Sequence, residues 1–569
     1  MIRDVYPLKA QYRSGEPVAL ALELENPATA PAVWRLDVRV ARLASETERR
    51  TEEIRLAGGE SLTLEWELQA YEAEFDGFGV DVDLIGSDGT VLHTASTSFD
   101  VVSDWRKSTR YGFLSDFHTR ERGDEEDVKW MSKLHLNLVQ FYDWMYRHDD
   151  LVAEASEYTD LMGRELNLDV VKEKVALCHR HGMKAIAYGA IYAASKPFAE
   201  RHPDWALYQS DGKPYDFIDI FTIMNIAEQC PWHRHIISEY KRAVERVDFD
   251  GIHMDTYGFP KTGTSVWGGE QKVVRLDEHF AALIDHTREE LADSKDDIGL
   301  IFNNVGNWPV EPVAEAGLDA VYVEVWKPYE RYHHIRQIVH EAQRAGKGKP
   351  VILAAYLQPF RTESDPQRAR YAGLLLTAVI AAHGGYHLLA GENRAVLTQA
   401  YYADYSRADE AFAAELRRYC DFNVRYANLL YDAKLKDVSM THADGDNLEY
   451  VFDGLPYSTY GEAGKVWTVI RESESRKTVS FINLTGNAED YWNAGKNRPQ
   501  RLTGFKVRLL LERDATAVYA ASPDRNLGRP QRLPFEVTSS LRGKTLEAVV
   551  PSLDVWTLLW VDLDRPSSV

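Results

Sequence analysis

The stretch FDGIHMDTYGFP, residues 249–260, is a short apolar run that ends on a carboxylate. Its apolar residues predict a buried strand, and Asp255 stands where that strand ends. An ionised aspartate in such a place loses hydration energy unless a partner stabilises it or a reaction uses it. Buried strands of this kind are typical of parallel sheets, whose functional groups lie at the carboxyl ends of the strands.

Apolar strands alternate with helical segments from about residue 104 to 433, and FDGIHMDTYG is the fourth of eight strand candidates. The other seven are RYGFLSDF, LNLVQFYDW, MKAIAYGAIY, IGLIFNNVG, AVYVEVW, PVILAAYLQP and YHLLAGE. Eight such units over about 330 residues predict a (β/α)8 TIM barrel with some enlarged loops. A doubly wound sheet is the alternative, but it would need a glycine-rich phosphate loop after its first strand, and SDFHTRERGD is not one.

The segments on either side of the barrel alternate apolar and polar residues, as antiparallel strands do. Examples are EPVALALELEN and VWRLDVRVARL before it, and KTVSFINLTG and VWTLLWVDL after it. We therefore predict a multidomain chain, with an N-terminal immunoglobulin-like β-sandwich in residues 1–102, the (β/α)8 barrel in residues 103–433 and a C-terminal antiparallel β-sandwich in residues 434–569.

Composition excludes several classes of partner. The net charge of −22 argues against a nucleic-acid binder, which needs clustered Lys and Arg, and no apolar run is long enough to span a membrane. The three cysteines have no metal-ligand spacing, and the histidines of HRHG and WHRH lie two residues apart on predicted helices, where they share no face. We expect no metal, no cofactor and no obligate protein partner.

The N-terminal residues MIRDVYPLKAQYRSGEPV lack a basic region followed by an apolar one. The protein is expected either to be made without a secretion signal, and then cytoplasmic, or to be secreted with its signal already removed.

Polar and aromatic groups end nearly every predicted barrel strand, so they should meet at one mouth. Two facing carboxylates in a cavity rimmed with Trp and Tyr favour glycoside hydrolysis, and Asp255 and Glu324 are the predicted pair. No Gly-x-Ser-x-Gly elbow and no HExxH motif supports another chemistry. The candidates for binding the substrate are Asp116, Tyr142, Asp143, Trp144, Tyr188, His253, Tyr257, Asn304, Trp326, Gln358 and Glu392.

The stretches LVQFYDWMYRHD, GIHMDTYG, YVEVW and KTVSFINLTG resemble glycoside hydrolase family 66, which holds endo-dextranases and cycloisomaltooligosaccharide glucanotransferases. The resemblance covers nearly the whole chain. It implies a retaining mechanism in which Asp255 is the nucleophile, Glu324 the acid/base and Asp143 a substrate-binding residue. It also implies that the substrate is dextran, whose α-1,6-glucosidic bonds would be cut inside the chain to give isomaltooligosaccharides.

The chain departs from the cyclising members of that family, which carry an inserted carbohydrate-binding module after the seventh barrel strand. Here QPFRTESDPQRARY leads directly into the next predicted helix, so endo-hydrolysis is favoured over cyclisation. The alternatives are a cycloisomaltooligosaccharide glucanotransferase, another retaining transglycosylase that acts on α-glucans, and a polysaccharide-binding protein with an inactive barrel.

Overall fold

Eight parallel strands form the central sheet in this computed structural model, which describes residues 1–541 and 543–564. Each strand pairs with its neighbours in the chain, and Phe113 of the first strand forms a bridge with Gly391, just beyond the eighth, so the barrel is nearly closed. The strands are Tyr111–Leu114, Leu138–Phe141, Lys184–Ala190, Gly251–Asp255, Gly299–Val305, Ala320–Glu324, Val351–Ala354 and Gly385–His387. The predicted barrel is confirmed, and the doubly wound alternative is wrong because the strand order never reverses.

A helix follows each barrel strand. These helices lie in the segments whose apolar periodicity predicted them. The first turn of Leu168–Arg180, for example, is capped by the Asn167 side chain, which accepts hydrogen bonds from two backbone N–H groups. The eight helices are Glu126–Lys133, Leu168–Arg180, Pro231–Val247, Phe280–Ala292, Val310–Ala314, Tyr332–Ala345, Pro366–Ala382 and Glu410–Arg425. Short helices are Lys196–Arg201, Pro359–Thr362, Ala427–Leu430 and Ser439–His442.

No helix within residues 1–541 and 543–564 has both the length and the apolar character that a membrane span requires.

Strand register places the predicted carboxyl pair on one rim. Asp255 and Glu324 are the last residues of the fourth and sixth strands, and the fifth strand lies between them. Residues paired across a parallel sheet point to the same face, so Asn303, opposite Tyr322, faces the barrel interior together with Glu324. The carboxyl pair is therefore brought together by three adjacent strands.

Small antiparallel sheets enlarge the loops at the barrel mouth, as the sequence predicted. One of these sheets joins strands from two loops, since Leu207–Tyr208 pairs with Thr262–Ser265. The remaining strands in these sheets are Glu157–Thr159, Glu165–Asn167, Ala193–Ser195, Asp216–Phe217, Phe221–Ile223, Lys272–Arg275, Ala395–Val396 and Ser406–Arg407. After the seventh strand the connection is short, because Val351–Ala354 is followed by a helix that begins at Pro359.

Two largely antiparallel sheets precede the barrel and enclose their own apolar core, which includes Leu22, Val38, Val80 and Phe99. One sheet contains the strands Ile2–Pro7, Pro17–Glu25 and Ser61–Ala70, and the other contains Tyr12–Arg13, Val91–Val102, Phe75–Ile85, Ala32–Arg42 and Ser45–Leu56. The two-sheet arrangement is of the β-sandwich type, while its immunoglobulin-like character stays a prediction.

Two further sheets follow the barrel. The larger contains Lys436–Asp437, Tyr457–Ser458, Val466–Ser473, Arg476–Asn483, Trp556–Leu563, Ala515–Ala521 and Gln531–Leu533. The smaller contains Tyr450–Asp453, Leu502–Leu511, Gly543–Leu553 and Phe535–Ser540. The loop of residues 484–501 joins the two sheets and packs against the barrel. The predicted domain boundaries at residues 102 and 433 stay predictions.

Candidate active site

A cavity of about 550 Å³ opens at the carboxyl end of the barrel strands. Tyrosines and phenylalanines form much of its wall, and its carboxylates are Asp143, Asp255 and Glu324. Eight of the thirteen predicted site residues line it, namely Tyr142, Asp143, Tyr188, His253, Asp255, Tyr257, Glu324 and Trp326.

Asn303 holds the carboxyl pair together. Its amide nitrogen Nδ2 donates to Asp255 Oδ1 at 2.7 Å and to Glu324 Oε2 at 3.1 Å. Two oxygens bound to one nitrogen at these distances cannot be further apart than the two distances together, about 5.8 Å. The two carboxyl groups therefore face each other across a gap narrow enough for one reacting carbon.

Tyrosine hydroxyls bind the other oxygens of the pair. Tyr188 donates to Asp255 Oδ2 at 2.8 Å, and Tyr356 donates to Glu324 Oε1 at 2.8 Å. The Tyr402 hydroxyl lies 3.2 Å from that of Tyr356 and so extends the network to the loop after the eighth strand. Both carboxyl groups are therefore fixed in orientation by donors from neighbouring strands.

Burial raises the pKa of both members of the pair. For Asp255 the charge of Glu324 adds to the effect, while hydrogen bonds from Asn303 and Tyr188 oppose it, and the pKa rises to about 7. For Glu324, burial raises the pKa against hydrogen bonds from Asn303, Tyr356 and Trp326. Because both pKa values are raised and the two charges interact, the groups titrate as a coupled pair. After the first ionisation and before the second, the pair holds one proton.

Asp143 lies on the opposite side of the cavity in a left-handed backbone conformation, with φ of 48°. Burial raises its pKa to about 7, although Arg164 lowers it from 3.8 Å away. Within the part of the chain that the structure describes, no hydrogen bond from the protein reaches its carboxylate oxygens. The carboxylate is therefore available to accept hydrogen bonds from a ligand.

Two predicted site residues point away from the cavity because of strand geometry. Asn304 is buried on the outer face of the fifth strand, where it donates to the Tyr322 carbonyl at 2.8 Å, whereas its neighbour Asn303 faces inward. Trp144 is fully buried, and its indole N–H donates to the Tyr188 carbonyl at 3.2 Å. Neither residue lines the cavity, so the structure gives no support to substrate contact by either one.

Glu392 and Asp116 form a separate group beside the cavity. Glu392 is buried and accepts hydrogen bonds from the Ser115 hydroxyl at 2.7 Å and the Asp116 backbone N–H at 3.1 Å. Asp116 itself pairs with Arg120 at 2.5 Å. The carboxylate oxygens of both residues are therefore already occupied by protein donors. Neither residue lines the cavity. Gln358 lies in a neighbouring pocket, which it shares with Trp326.

Three residues of the hydrogen-bond network are absent from the predicted set: Asn303, Tyr356 and Tyr402. The first two stand at strand ends, and their only sequence signal is that position. Tyr402 lies in a loop and carries no such signal. The cavity also contains Phe217 and Phe221 from the loop after the third strand, and the Tyr257 ring stacks on Phe217 with centroids 4.1 Å apart.

An acidic group outside the cavity has the spacing of a metal site. It consists of Glu121, Asp124 and Asp127. The buried ammonium of Lys174 lies 3.2 Å from Asp127 and 3.5 Å from Glu121, and it already supplies a counter-charge there. The group therefore fits an internal ion pair better than a cation site.

Comparison with known proteins identifies the family of the chain and agrees with its fold. The sequence model of glycosyl hydrolase family 66 matches residues 7–560. The chain is similar to a cycloisomaltooligosaccharide glucanotransferase of Niallia circulans, with 23% identity over 98% of this chain and 72% of the relative. It is also similar to a dextranase of Streptococcus salivarius, with 25% identity over 86% of this chain and 68% of the relative.

A solved structure shows the same fold over the whole chain. It is that of a Paenibacillus sp. cycloisomaltooligosaccharide glucanotransferase complexed with cycloisomaltoheptaose, which matches with a TM-score of 0.89 at 20% identity and covers 98% of this chain and 99% of that one. Since the family model spans nearly the entire sequence, the chain belongs to glycosyl hydrolase family 66 and is a glycoside hydrolase.

Proposed function

We propose that this protein is an endo-acting, retaining glycoside hydrolase that cleaves the α-1,6-glucosidic linkages of dextran to isomaltooligosaccharides. The observation that carries the mechanism is the bridge from Asn303 to both Asp255 and Glu324. Retaining enzymes hold their two carboxyl groups roughly 5–5.5 Å apart, whereas inverting enzymes leave roughly 6.5–9.5 Å for a water molecule. The facing oxygens of a pair that shares one amide nitrogen lie no more than about 5.8 Å apart, which supports the first class.

The first step is a displacement at the anomeric carbon. The ionised carboxylate of Asp255 forms a bond to C1 while the bond from C1 to O6 of the leaving glucose breaks. Glu324 gives its proton to that O6, so the leaving chain departs as a neutral alcohol. The product is a glycosyl-enzyme ester of inverted configuration.

The second step restores the free enzyme. Glu324, now ionised, takes a proton from a water molecule whose oxygen bonds to C1, and the ester bond to Asp255 breaks. Two inversions give a sugar that keeps the α configuration. The pair thus returns to its starting state, with one proton and one negative charge.

The hydrogen-bond donors around the pair support these roles. Each oxygen of Asp255 accepts one hydrogen bond, from Asn303 or Tyr188, so its carboxylate is oriented before the substrate arrives. Tyr356 fixes the other acid in the same way. Asp143, His253 and the aromatic wall of the cavity are proposed to bind glucose hydroxyls and ring faces.

Dextran is proposed as the substrate because both relatives, a dextranase and a cycloisomaltooligosaccharide glucanotransferase, are named for activities on α-glucans of this type. Hydrolysis is favoured over cyclisation by the short connection between Val351–Ala354 and Pro359, which has no room for an inserted domain. The alignment with the Niallia relative extends over 711 positions against 569 residues here, so that relative carries segments that this chain lacks. Transfer to a sugar acceptor is the second candidate, since the same ester intermediate serves both.

The test is incubation with dextran, followed by chromatography of the products and proton NMR of the first sugar released. Linear isomaltooligosaccharides in the α form are expected. Cyclic products would favour the transferase, an initial β anomer would exclude a retaining mechanism, and cleavage of pullulan or starch in preference to dextran would assign another α-glucan. Binding of dextran without any release of reducing sugar would identify a polysaccharide-binding protein with an inactive barrel.

A further inference from the structure

A second pocket of about 610 Å³ lies beside the active-site cavity and has no role in the mechanism described above. Its wall is shared between the barrel and the loop of residues 484–501, which belongs to the C-terminal sandwich. Trp326 and Tyr356 line both the pocket and the active-site cavity, and their ring centroids are 5.7 Å apart. The two spaces therefore have a common aromatic wall.

That wall lies on the side of Glu324. Tyr356 donates a hydrogen bond to Glu324 Oε1, and Trp326 follows Glu324 by two residues. In a retaining glycosidase the proton donor faces the oxygen of the leaving group. The second pocket is therefore adjacent to the part of the cavity into which the leaving chain extends.

The loop that closes the pocket is held against the barrel by direct hydrogen bonds. The Trp492 indole N–H donates to the Tyr329 carbonyl at 2.6 Å, and the Tyr332 backbone N–H donates to the Asp490 carbonyl at 2.9 Å. The Asn493 side-chain oxygen accepts from the Gln358 backbone N–H at 2.9 Å. These contacts join the C-terminal sandwich to the loops after the sixth and seventh barrel strands.

The same loop is also fixed from within. The buried ammonium of Lys496 donates to the Tyr491 carbonyl at 2.5 Å and to the Ala494 carbonyl at 3.2 Å. A loop that is ordered before binding costs less conformational entropy when a ligand arrives. The pocket is thus a preorganised surface rather than a gap between two domains.

The pocket presents two large aromatic side chains to solvent. Trp326 and Tyr491 are each 38% exposed, and the Arg331 guanidinium lies 4.7 Å from the Tyr491 ring centroid, where it stabilises the position of the ring. Aromatic rings with amide groups nearby, here from Gln358 and Asn493, suit a ligand that has apolar faces and hydroxyl edges. Glucose rings have this character.

We propose that this pocket binds glucosyl residues of the leaving chain, beyond the residue that carries the scissile O6. The proposal rests on the proposed function and adds a substrate-binding role for the C-terminal sandwich. A chain held here would depart more slowly. An acceptor chain that then takes its place could present its own O6 hydroxyl, which attacks C1 in place of water. In that step the new bond is O6 to C1, the ester to Asp255 breaks, and Glu324 takes the hydroxyl proton.

The first test compares two substrates for the Tyr491→Ala variant. Its kcat/KM for dextran is expected to fall about 10-fold, because one stacking ring is lost. The second substrate is 4-nitrophenyl α-isomaltotrioside, whose aryl leaving group is too short to reach the pocket. Its kcat/KM should stay within about twofold. The matched control is Tyr460→Ala, since Tyr460 is also an exposed tyrosine of the C-terminal sandwich, at 45%, and lines neither space. Unchanged dextran kinetics, or an equal fall on both substrates, would overturn the proposal.

The second test measures binding without catalysis. Isomaltoheptaose is titrated by calorimetry into Asp255→Asn enzyme with and without Tyr491→Ala, and affinity is expected to fall about 10-fold in the double variant. Equal affinities would overturn the proposal. If the wild-type enzyme cleaves neither substrate, the proposed function fails, while this titration still decides on the pocket. Thermal unfolding of each variant checks that the truncated side chain has not altered the fold.

Discussion

At the residue scale, Asn303 determines how the carboxyl pair behaves. One of its amide hydrogens faces each carboxylate, and an ionised carboxylate accepts such a bond more strongly than a protonated one. In the proposed mechanism the amide therefore stabilises the charge in both states, on Asp255 in the resting enzyme and on Glu324 once the ester has formed. Its geometry thus suits both steps of the proposed double displacement.

Substitution of Asp255 and substitution of Glu324 should affect the reaction in different ways. Asp255→Asn removes the nucleophile and is expected to lower kcat on dextran by several orders of magnitude. Glu324→Gln should lower kcat on dextran by roughly 10²–10⁴-fold, but on a 2,4-dinitrophenyl isomaltoside, whose leaving group needs no proton, the ester should form and accumulate. Mass spectrometry of the variant then detects an enzyme heavier by the glycosyl group. Near-normal turnover in either variant would contradict the assignment.

Activity should follow a bell-shaped dependence on pH. It should fall as pH rises through about 7, because the pair then loses the proton that the leaving group needs. It should also fall on the acid side, at a pH above the ordinary pKa of glutamate, because the pKa of Glu324 is raised and both groups become protonated there. The measurement is kcat/KM on dextran against pH.

Asn303→Ala tests the cause of these limits. Loss of a donor that stabilises both ionised forms should raise both pKa values, so both limbs of the profile should move to higher pH. Asn304→Ala is the matched control, since this neighbouring amide bonds to the Tyr322 carbonyl on the outer face of the strand. A profile that stays in place in Asn303→Ala, or that moves to lower pH, would contradict the role given to this amide.

At the element scale, the fourth and fifth strands come unusually close where they begin. Gly251 pairs with Gly299, and a Cβ atom at Gly251 would lie 1.9 Å from the Gly299 carbonyl oxygen. The fourth strand ends at Asp255, and the fifth carries Asn303 two residues before its end. Their close approach is therefore part of what positions the active site.

Gly251→Ala should destabilise the protein strongly, by about 3 kcal/mol, because backbone atoms must move apart. Gly299→Ala should cost less, about 1 kcal/mol, since its Cβ would meet only side-chain atoms of Trp105 and Ile186, at 3.1 and 3.3 Å. Thermal unfolding of the two variants makes the comparison. Equal stability of the two would show that the strands can separate at this point without cost.

At the scale of the whole molecule, Asp81 connects the sheets before the barrel with the barrel and with the sheets after it. It lies in the N-terminal sandwich and receives two hydrogen bonds from Arg425 of the last barrel helix, at 2.8 and 2.9 Å. Arg529 of the C-terminal sandwich lies 3.1 Å from the same carboxylate. Burial raises the pKa of Asp81, but the two guanidinium groups outweigh it and hold the value at about 2.

Arg425→Met should destabilise the protein by about 3–5 kcal/mol, because a buried carboxylate loses its bidentate partner. Asp81→Asn in the Arg425→Met background should recover part of that loss, since the uncompensated charge is then gone. The free energies come from denaturant unfolding of the single and double variants. If the double variant is no more stable than Arg425→Met alone, the carboxylate charge is not the source of the cost.

The limits of sequence prediction are clearest in the fifth barrel strand. Its stretch IGLIFNNVG is buried on both faces, so it has no alternation of polar and apolar residues from which the inward face could be read. Asn304 was predicted to contact the substrate, but its neighbour Asn303 is the residue that faces the cavity and bridges the carboxyl pair. Trp144 was likewise predicted to contact the substrate from its place in FYDW, but the turn after the second strand directs its side chain into the core.

The sequence by itself determined the eight strand and helix units, the order of the barrel strands and the strand-end positions of Asp255 and Glu324. These follow from hydrophobic periodicity and from the turn and capping residues that end strands and helices, and both signals lie within neighbouring residues. Only the tertiary structure decided which side chains face the cavity, how close the two carboxyl groups lie and that residues 484–501 border the second pocket. Those features depend on strand register and on contacts between segments far apart in the chain. Arg331 and Tyr491, for example, are 160 residues apart. Such contacts leave no local signal in the sequence.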